Sequence, residues 1–129
     1  MAHKKHNPKT IAKPVSAFSH AMEVAPGARW LYVSGQVGTS AKGKLSPGIK
    51  GQCDRAWRNL IAVLKAADME LKDVVKITVF LTRPEDLTAY REVRDRHLGR
   101  VRPAWTLVFV SQLANPDWLV EIEAVAAKC

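Results

Sequence analysis

The sequence predicts an α+β domain, a mixed sheet with two helices packed on one face. Three observations lead there. Residues 49–68 repeat their apolar side chains at three- and four-residue intervals, as an amphipathic helix requires. Residues 82–98 lie between a helix-starting Thr-Arg-Pro-Glu-Asp and a helix-stopping glycine. The remaining apolar runs are β-prone, so the order reads β-β-α-β-α-β-β, which one sheet with helices on one side accommodates. A chain of 129 residues fits a single domain large enough to bury its own core. Its 47% hydrophobic and 25% charged residues are an ordinary globular balance that argues against extensive disorder.

Taken in order, residues 1–14 hold Lys4, Lys5, Lys9 and Lys13 without an acid, a short basic arm expected to be flexible, and the folded domain spans 15–129. Val15 to Val24 places Phe18, His20, Met22 and Val24 at alternate positions, the mark of a strand with one covered face. Pro26-Gly27 turns the chain into Trp30–Gln36, and these two runs are expected to pair antiparallel. Residues 38–48, with Gly38, Gly43, Pro47 and Gly48, form a loop. The first helix aligns Ile49, Cys53, Ala56, Trp57, Leu60 and Leu64 on one face. Val74 to Leu81, rich in β-branched residues, reads as a central strand. Thr82 can cap the second helix, Pro84 fits its first turn, and Glu85 and Asp86 suit its positive end. Gly99 ends it after Leu98. Strands from Ala104 to Val110 and from Leu119 to Ala127 complete the sheet. Such a two-layer domain leaves one sheet face open, and another copy of the chain is its expected cover.

The formal net charge of +8 suggests a nucleic-acid partner, but it is unevenly spread. The arm carries +4, and residues 91–102 carry +3 through Arg91, Arg94, Arg96, Arg100 and Arg102 against Glu92 and Asp95. A basic helix face is more often simply solvated, and the chain has no Gly-aromatic strand signature, helix-turn-helix pattern or zinc knuckle, so nucleic acid is not the expected partner. No apolar run reaches the roughly 18 residues of a membrane span, and the start lacks the apolar core of a secretory signal, so a cytoplasmic protein without a membrane partner is expected. Cys53 and Cys129 form no metal-type cluster, and no metal or disulfide is expected. Ser34 has no His and Asp at suggestive spacing, which argues against a hydrolase nucleophile.

Four blocks carry a more specific signal: Tyr32-Val33-Ser34-Gly35-Gln36, Val74-Val75-Lys76-Ile77-Thr78-Val79-Phe80-Leu81, Arg102-Pro103-Ala104 and Val120-Glu121-Ile122-Glu123-Ala124. In order and spacing, over residues 16–127, they resemble the reactive intermediate deaminase family, RidA or YjgF, whose older labels include L-PSP endoribonuclease and translation inhibitor. The resemblance implies a chorismate-mutase-like subunit and a homotrimer with a barrel-like centre, outward helices and a small-molecule pocket in each inter-subunit cleft. Active members hydrolyse imines or enamines to a keto acid and ammonia without a cofactor.

Carried over by position, the resemblance makes Glu121 the residue that orients or activates the attacking water. It puts Ser34, Gly35 and the Leu107 carbonyl in the pocket, Phe18 where the family has a tyrosine, and Arg91 near an asparagine position. The position of the family's carboxylate-binding arginine is Trp105. Indole has one N–H donor and no charge, so it cannot form the bidentate pair a guanidinium makes with a carboxylate. The resemblance makes Arg91 the expected substitute, since the family places that helix position near the cleft, whereas Arg102 lies an odd number of residues before Trp105 and would face the other side of a strand. Two function classes follow. The first is hydrolysis of an imine or enamine other than simple 2-imino acids, and the second is a non-catalytic small-molecule-binding or regulatory trimer. RNA binding or cleavage is a third and weaker alternative, resting on charge and the older labels alone.

Overall fold

The computed structural model describes residues 2–129. The strands are β1 (Lys4–His6), β2 (Ala21–Glu23), β3 (Arg29–Gln36), β4 (Val74–Leu81), β5 (Ala104–Phe109) and β6 (Val120–Lys128). The helices are α1 (Gly48–Ala66) and α2 (Leu87–Leu98). Strands β3-β6-β4-β5 form a mixed sheet in which β4 and β5 run parallel and the other neighbours antiparallel. The α+β architecture read from the sequence, two helices on a mixed sheet, is the one observed.

Strand alternation sorts side chains to two faces. Ile77, Val79 and Leu81 of β4 and Ile122, Ala124 and Ala126 of β6 point to the helices. There they meet Trp57, Leu60 and Leu64 of α1 and Tyr90, Val93 and Leu98 of α2, all buried. The opposite face has no covering layer among the described residues. Trp30 and Tyr32 stand on it 53% and 77% exposed, with their rings stacked 6.4 Å apart. An exposed apolar patch of that kind is a feature by which interaction surfaces are recognised.

The helices are clasped together outside the core. Asp54 of α1 accepts from Arg58 at 2.8 Å and pairs with His97 of α2 at 2.8 Å, while the His97 ring stacks on Trp57. The Arg58 hydrogen bond holds the Asp54 carboxyl below its ordinary pKa, with His97 adding to the effect and burial opposing it. Gln52, buried on α1, donates to the Asp117 carbonyl and accepts from the Leu119 amide, so α1 is tied to the entry of β6.

Three local expectations are corrected. Within 15–24 only Ala21–Glu23 is a strand, and its partner is β1 rather than β3. The hydrogen bonds of the preceding residues go elsewhere: the Ser19 amide donates to the Pro103 carbonyl at 3.0 Å and its hydroxyl to Arg102 at 2.6 Å, which lashes this segment to the start of β5. Where the sequence predicts a flexible arm, Lys4–His6 lies paired with β2, and His3 bridges the Ala25 amide and the Ala127 carbonyl. Thr82 caps nothing. The second helix opens instead with a 3-10 turn at Pro84–Asp86, fixed by a two-pronged Arg83–Asp86 pair at 2.8 and 3.0 Å. Gly99 ends α2 with φ +55°, where a glycine pays no Cβ penalty.

Candidate functional site

The end of β3 is irregular in a way that shapes one half of the site. Val33 pairs with Ala124 and Gln36 with Ile122, so three steps on β3 match two on β6, and Ser34-Gly35 lies in a bulge. The Glu121 carboxylate lies over Gly35. A Cβ on Gly35 would come within 2.7 Å of Glu121 Cδ and 2.9 Å of its Cγ, and nearer still to Oε2. The glycine is therefore a matter of space: it lets the carboxylate lie flat against the backbone. Glu121 is half-buried, and this burial raises its pKa above the ordinary glutamate value, with the negative charge of Glu123 on the same face adding to the rise. Beside it, Tyr32, Ser34, Lys76, Thr78 and Glu123 line an open depression of about 260 Å³, and Lys76 Nζ donates to Thr106 Oγ1 at 2.8 Å.

A carboxylate held in this state accepts a proton less reluctantly than a solvated one, which suits a group that must take a proton from water near neutral pH. The acid limb of any Glu121-dependent rate should accordingly lie above the pH expected of a solvated glutamate. Glu123→Gln should move that limb to lower pH, and a pH–rate profile of the two proteins checks it. An unmoved limb would assign the titration to another group.

The second half of the site lies at the sheet edge and on the helix side. Trp105 pairs in register with Ile77, and Leu107 with Val79, so both side chains face the helices, opposite to Glu121 and its neighbour Phe80. Phe18 meets the Trp105 ring edge-on, with centroids 5.7 Å apart. The indole N–H donates to the Ala17 carbonyl at 3.2 Å, so its single polar handle is already used within the chain. The other face of the comparison is Arg94, a residue the sequence reading did not single out. Its guanidinium carbon lies 5.0 Å from the Trp105 ring centroid and 6.0 Å from that of Tyr90, and the residue is only 3% exposed. A signal for it existed: Tyr90, Arg94 and Leu98 recur every four residues on one helical face, and all three are buried. Arg91, the expected substitute for the absent arginine, stands exposed on α2 and makes no ion pair among the described residues. Arg102 spends its guanidinium on the Gly99 and Val101 carbonyls at 2.7 and 2.9 Å.

One chain thus brings Gly35 and Glu121 together, with Ser34 beside them, and separately gathers Phe18 and Trp105. The two groups are on opposite faces, with Glu121 two strands from Trp105, roughly 10 Å by the spacing of strands, and Gly35 one strand further. Within one chain the two groups do not face a common space.

Comparison with known proteins identifies the family. A family model described as Endoribonuclease L-PSP matches residues 8–128. A RutC family protein of Pyrococcus horikoshii is 36% identical over 118 residues, which cover 90% of each chain. The 2-iminobutanoate/2-iminopropanoate deaminase of Mus musculus is 34% identical over 116 residues, 88% of this chain and 83% of the mouse protein. Among solved structures, a Rid-family protein of unknown function from Yersinia pestis superposes with a TM-score of 0.88 at 33% identity, covering 99% of this chain and 100% of the other. A structure of Escherichia coli TdcF with bound serine gives 0.74 at 25% identity, with 90% and 91% covered. With the blocks around Ser34-Gly35 and Glu121 carried on the same sheet, the chain belongs to the RidA/YjgF family.

Proposed function

We propose that this protein assembles as a homotrimer through its open sheet face and hydrolyses an imine or enamine other than a simple 2-imino acid in clefts between subunits, without a cofactor. The carrying observation is the Glu121 carboxylate, half-buried over Gly35 with its pKa raised. In that position it orients a water and takes its proton as the oxygen attacks the electrophilic C=N carbon. The amine then leaves as ammonia once the nitrogen is protonated. Relatives named as 2-iminobutanoate/2-iminopropanoate deaminases support the reaction class. Trp105 bears on the substrate, since its ring closes the edge of β5 and its N–H is occupied by Ala17. A carboxylate next to the imine carbon finds no guanidinium at position 105. Ser34, Gly35 and the Leu107 carbonyl complete the pocket in this reading, Phe18 and Trp105 form its aromatic wall, and Arg91 lies at its rim.

The test couples the protein to an amino-acid oxidase that generates 2-imino acids and follows their loss. No acceleration of simple 2-imino acids is expected, whereas a panel of uncharged or aromatic imines should contain substrates whose hydrolysis Glu121→Gln removes. Rapid turnover of 2-imino acids would refute the stated specificity. The binding-only reading is favoured by the way Trp105 is packed into its own chain, and it predicts a ligand that binds unchanged by both the parent and Glu121→Gln.

A further inference from the structure

We propose that Arg94 is an anion-binding residue, and that its Nη1 receives the carboxylate of a small ligand that enters beneath the aromatic pair Phe18 and Trp105. The starting point is a polar atom without a partner. Arg94 Nη1 is fully buried and has no hydrogen-bond acceptor among the described residues. A buried donor left unpaired is costly, and more so when it belongs to a charged group, so native structures rarely leave one without a purpose.

The rest of the guanidinium sharpens what is missing. Nε donates to Oδ1 of Asp95 at 2.9 Å, and Nη2 makes an ion-pair contact with the same oxygen at 2.8 Å. The Arg94 side chain is 4% exposed while that of Asp95 is 59% exposed. The counter-charge therefore sits largely in water, where its attraction is screened, and the buried cation is incompletely neutralised. The two rings near it, Trp105 at 5.0 Å and Tyr90 at 6.0 Å, stabilise a cation through their faces but accept no strong hydrogen bond. An acceptor with a negative charge suits Nη1 better than a neutral carbonyl.

Access is through the aromatic pair. Phe18 and Trp105 are each only partly buried and touch edge to face. Phe18 lies in a segment without regular structure, which is lashed down by Ser19 rather than by a strand ladder. In this proposal the segment moves to admit the ligand, and the Trp105 ring, 5.0 Å from the guanidinium carbon, flanks the incoming group. The proposal stands on binding alone and does not depend on whether Glu121 hydrolyses anything.

The test uses the full chain labelled with 15N, with acetate and benzoate as probes and acetamide and benzamide as neutral controls. The carboxylates should shift the Arg94 guanidinium resonances and slow their exchange, while the amides should leave them unchanged. Arg94→Met, matched in shape and uncharged, should weaken carboxylate binding by about 10–100-fold, the usual worth of one charge-assisted hydrogen bond. Arg96→Ala, at an exposed arginine of the same helix, should bind as the parent does. Should Arg94→Met not fold, the resonance titration of the parent decides alone. The proposal is overturned if carboxylates leave the Arg94 signals unmoved, if amides act equally well, or if Arg94→Met binds as tightly as the parent. Nη1 protons already slow to exchange without ligand, and unresponsive to it, would place the acceptor on a second copy and remove the site.

Discussion

Gly38→Ala should destabilise the protein by about 2–3 kcal/mol, the usual cost of forcing extra atoms into a packed site, and should lower its melting temperature by roughly 10 °C. A Cβ on Gly38 would lie 2.5 Å from Gln52 Cα, 2.7 Å from its Cβ and 2.9 Å from its carbonyl oxygen. The first and last of these are helix backbone, which cannot swing aside as a side-chain tip can. The chain after β3 is also bound to α1 on both sides of this glycine, because Asn59 Nδ2 donates to the Val37 and Thr39 carbonyls at 3.0 and 2.9 Å. To admit the methyl group, the loop must lift from the helix and lose those bonds. The site should suffer with the fold: Gly38 follows the bulge that holds Gly35, and the displaced Gln52 steadies Leu119 at the entry to Glu121. Gly51→Ala on the same helix is the control. Its Cβ would meet Ser46 Cβ at 3.4 Å, and the helix should gain up to ~1 kcal/mol from the better helix former. Urea melts of the three proteins check both signs, and a Gly38→Ala protein as stable as its parent would show that the loop does not depend on this contact.

What the sequence made legible follows the range of the forces involved. Val74–Leu81 is observed with the bounds read from its β-branched run, because a central strand buried by helices on one face is specified by its own residues. Helix α1 begins one residue and ends two residues from its expected limits for the same reason, its apolar face being set by periodicity. The segment 15–24 was misread because alternation records which side chains are covered and says nothing about which backbone receives their amides. Here the Ser19 amide donates to the Pro103 carbonyl and the Ser19 hydroxyl to the Arg102 carbonyl, more than eighty positions away. The site divides along the same line. Gly35 and Glu121 could be named from the local blocks that carry the family resemblance. Arg94 could not be separated from four other arginines in 91–102 by charge. Its distinction is the helical face it shares with Tyr90 and Leu98, a periodicity that counting charges does not read, and the structure adds its contact with Trp105 of β5.

Gly35→Ala should abolish Glu121-dependent turnover, by at least ~100-fold if the carboxylate acts as a general base, while leaving the melting temperature nearly unchanged. The contrast with Gly38 is in what the new methyl group meets. At Gly35 it meets Cγ, Cδ and Oε2 of Glu121, all of them in one flexible side chain. The backbone conformation of Gly35 is not in the left-handed region, so alanine is admissible there. Hence the strand stays and the carboxylate leaves. Once rotated into solvent, the carboxylate loses the burial that holds its pKa up, and its titration should fall toward that of an ordinary glutamate. Because a raised carboxyl pKa favours the folded state only while the group is protonated, the parent carries a small stability penalty from Glu121 that sets in as pH rises through the unfolded and then the folded pKa. Gly35→Ala should relieve part of it above that window and none of it below. The two substitutions must therefore be non-additive: in a Glu121→Ala background, which removes the side chain from above the glycine, Gly35→Ala should cost nothing further in rate, binding or stability. Titration of the Glu121 side chain by 13C NMR in the parent and in Gly35→Ala reads the displacement directly, without any substrate. An unchanged titration would mean that the carboxylate does not lie over Gly35, and with that the half of the site built on β3 and β6 would have to be redrawn.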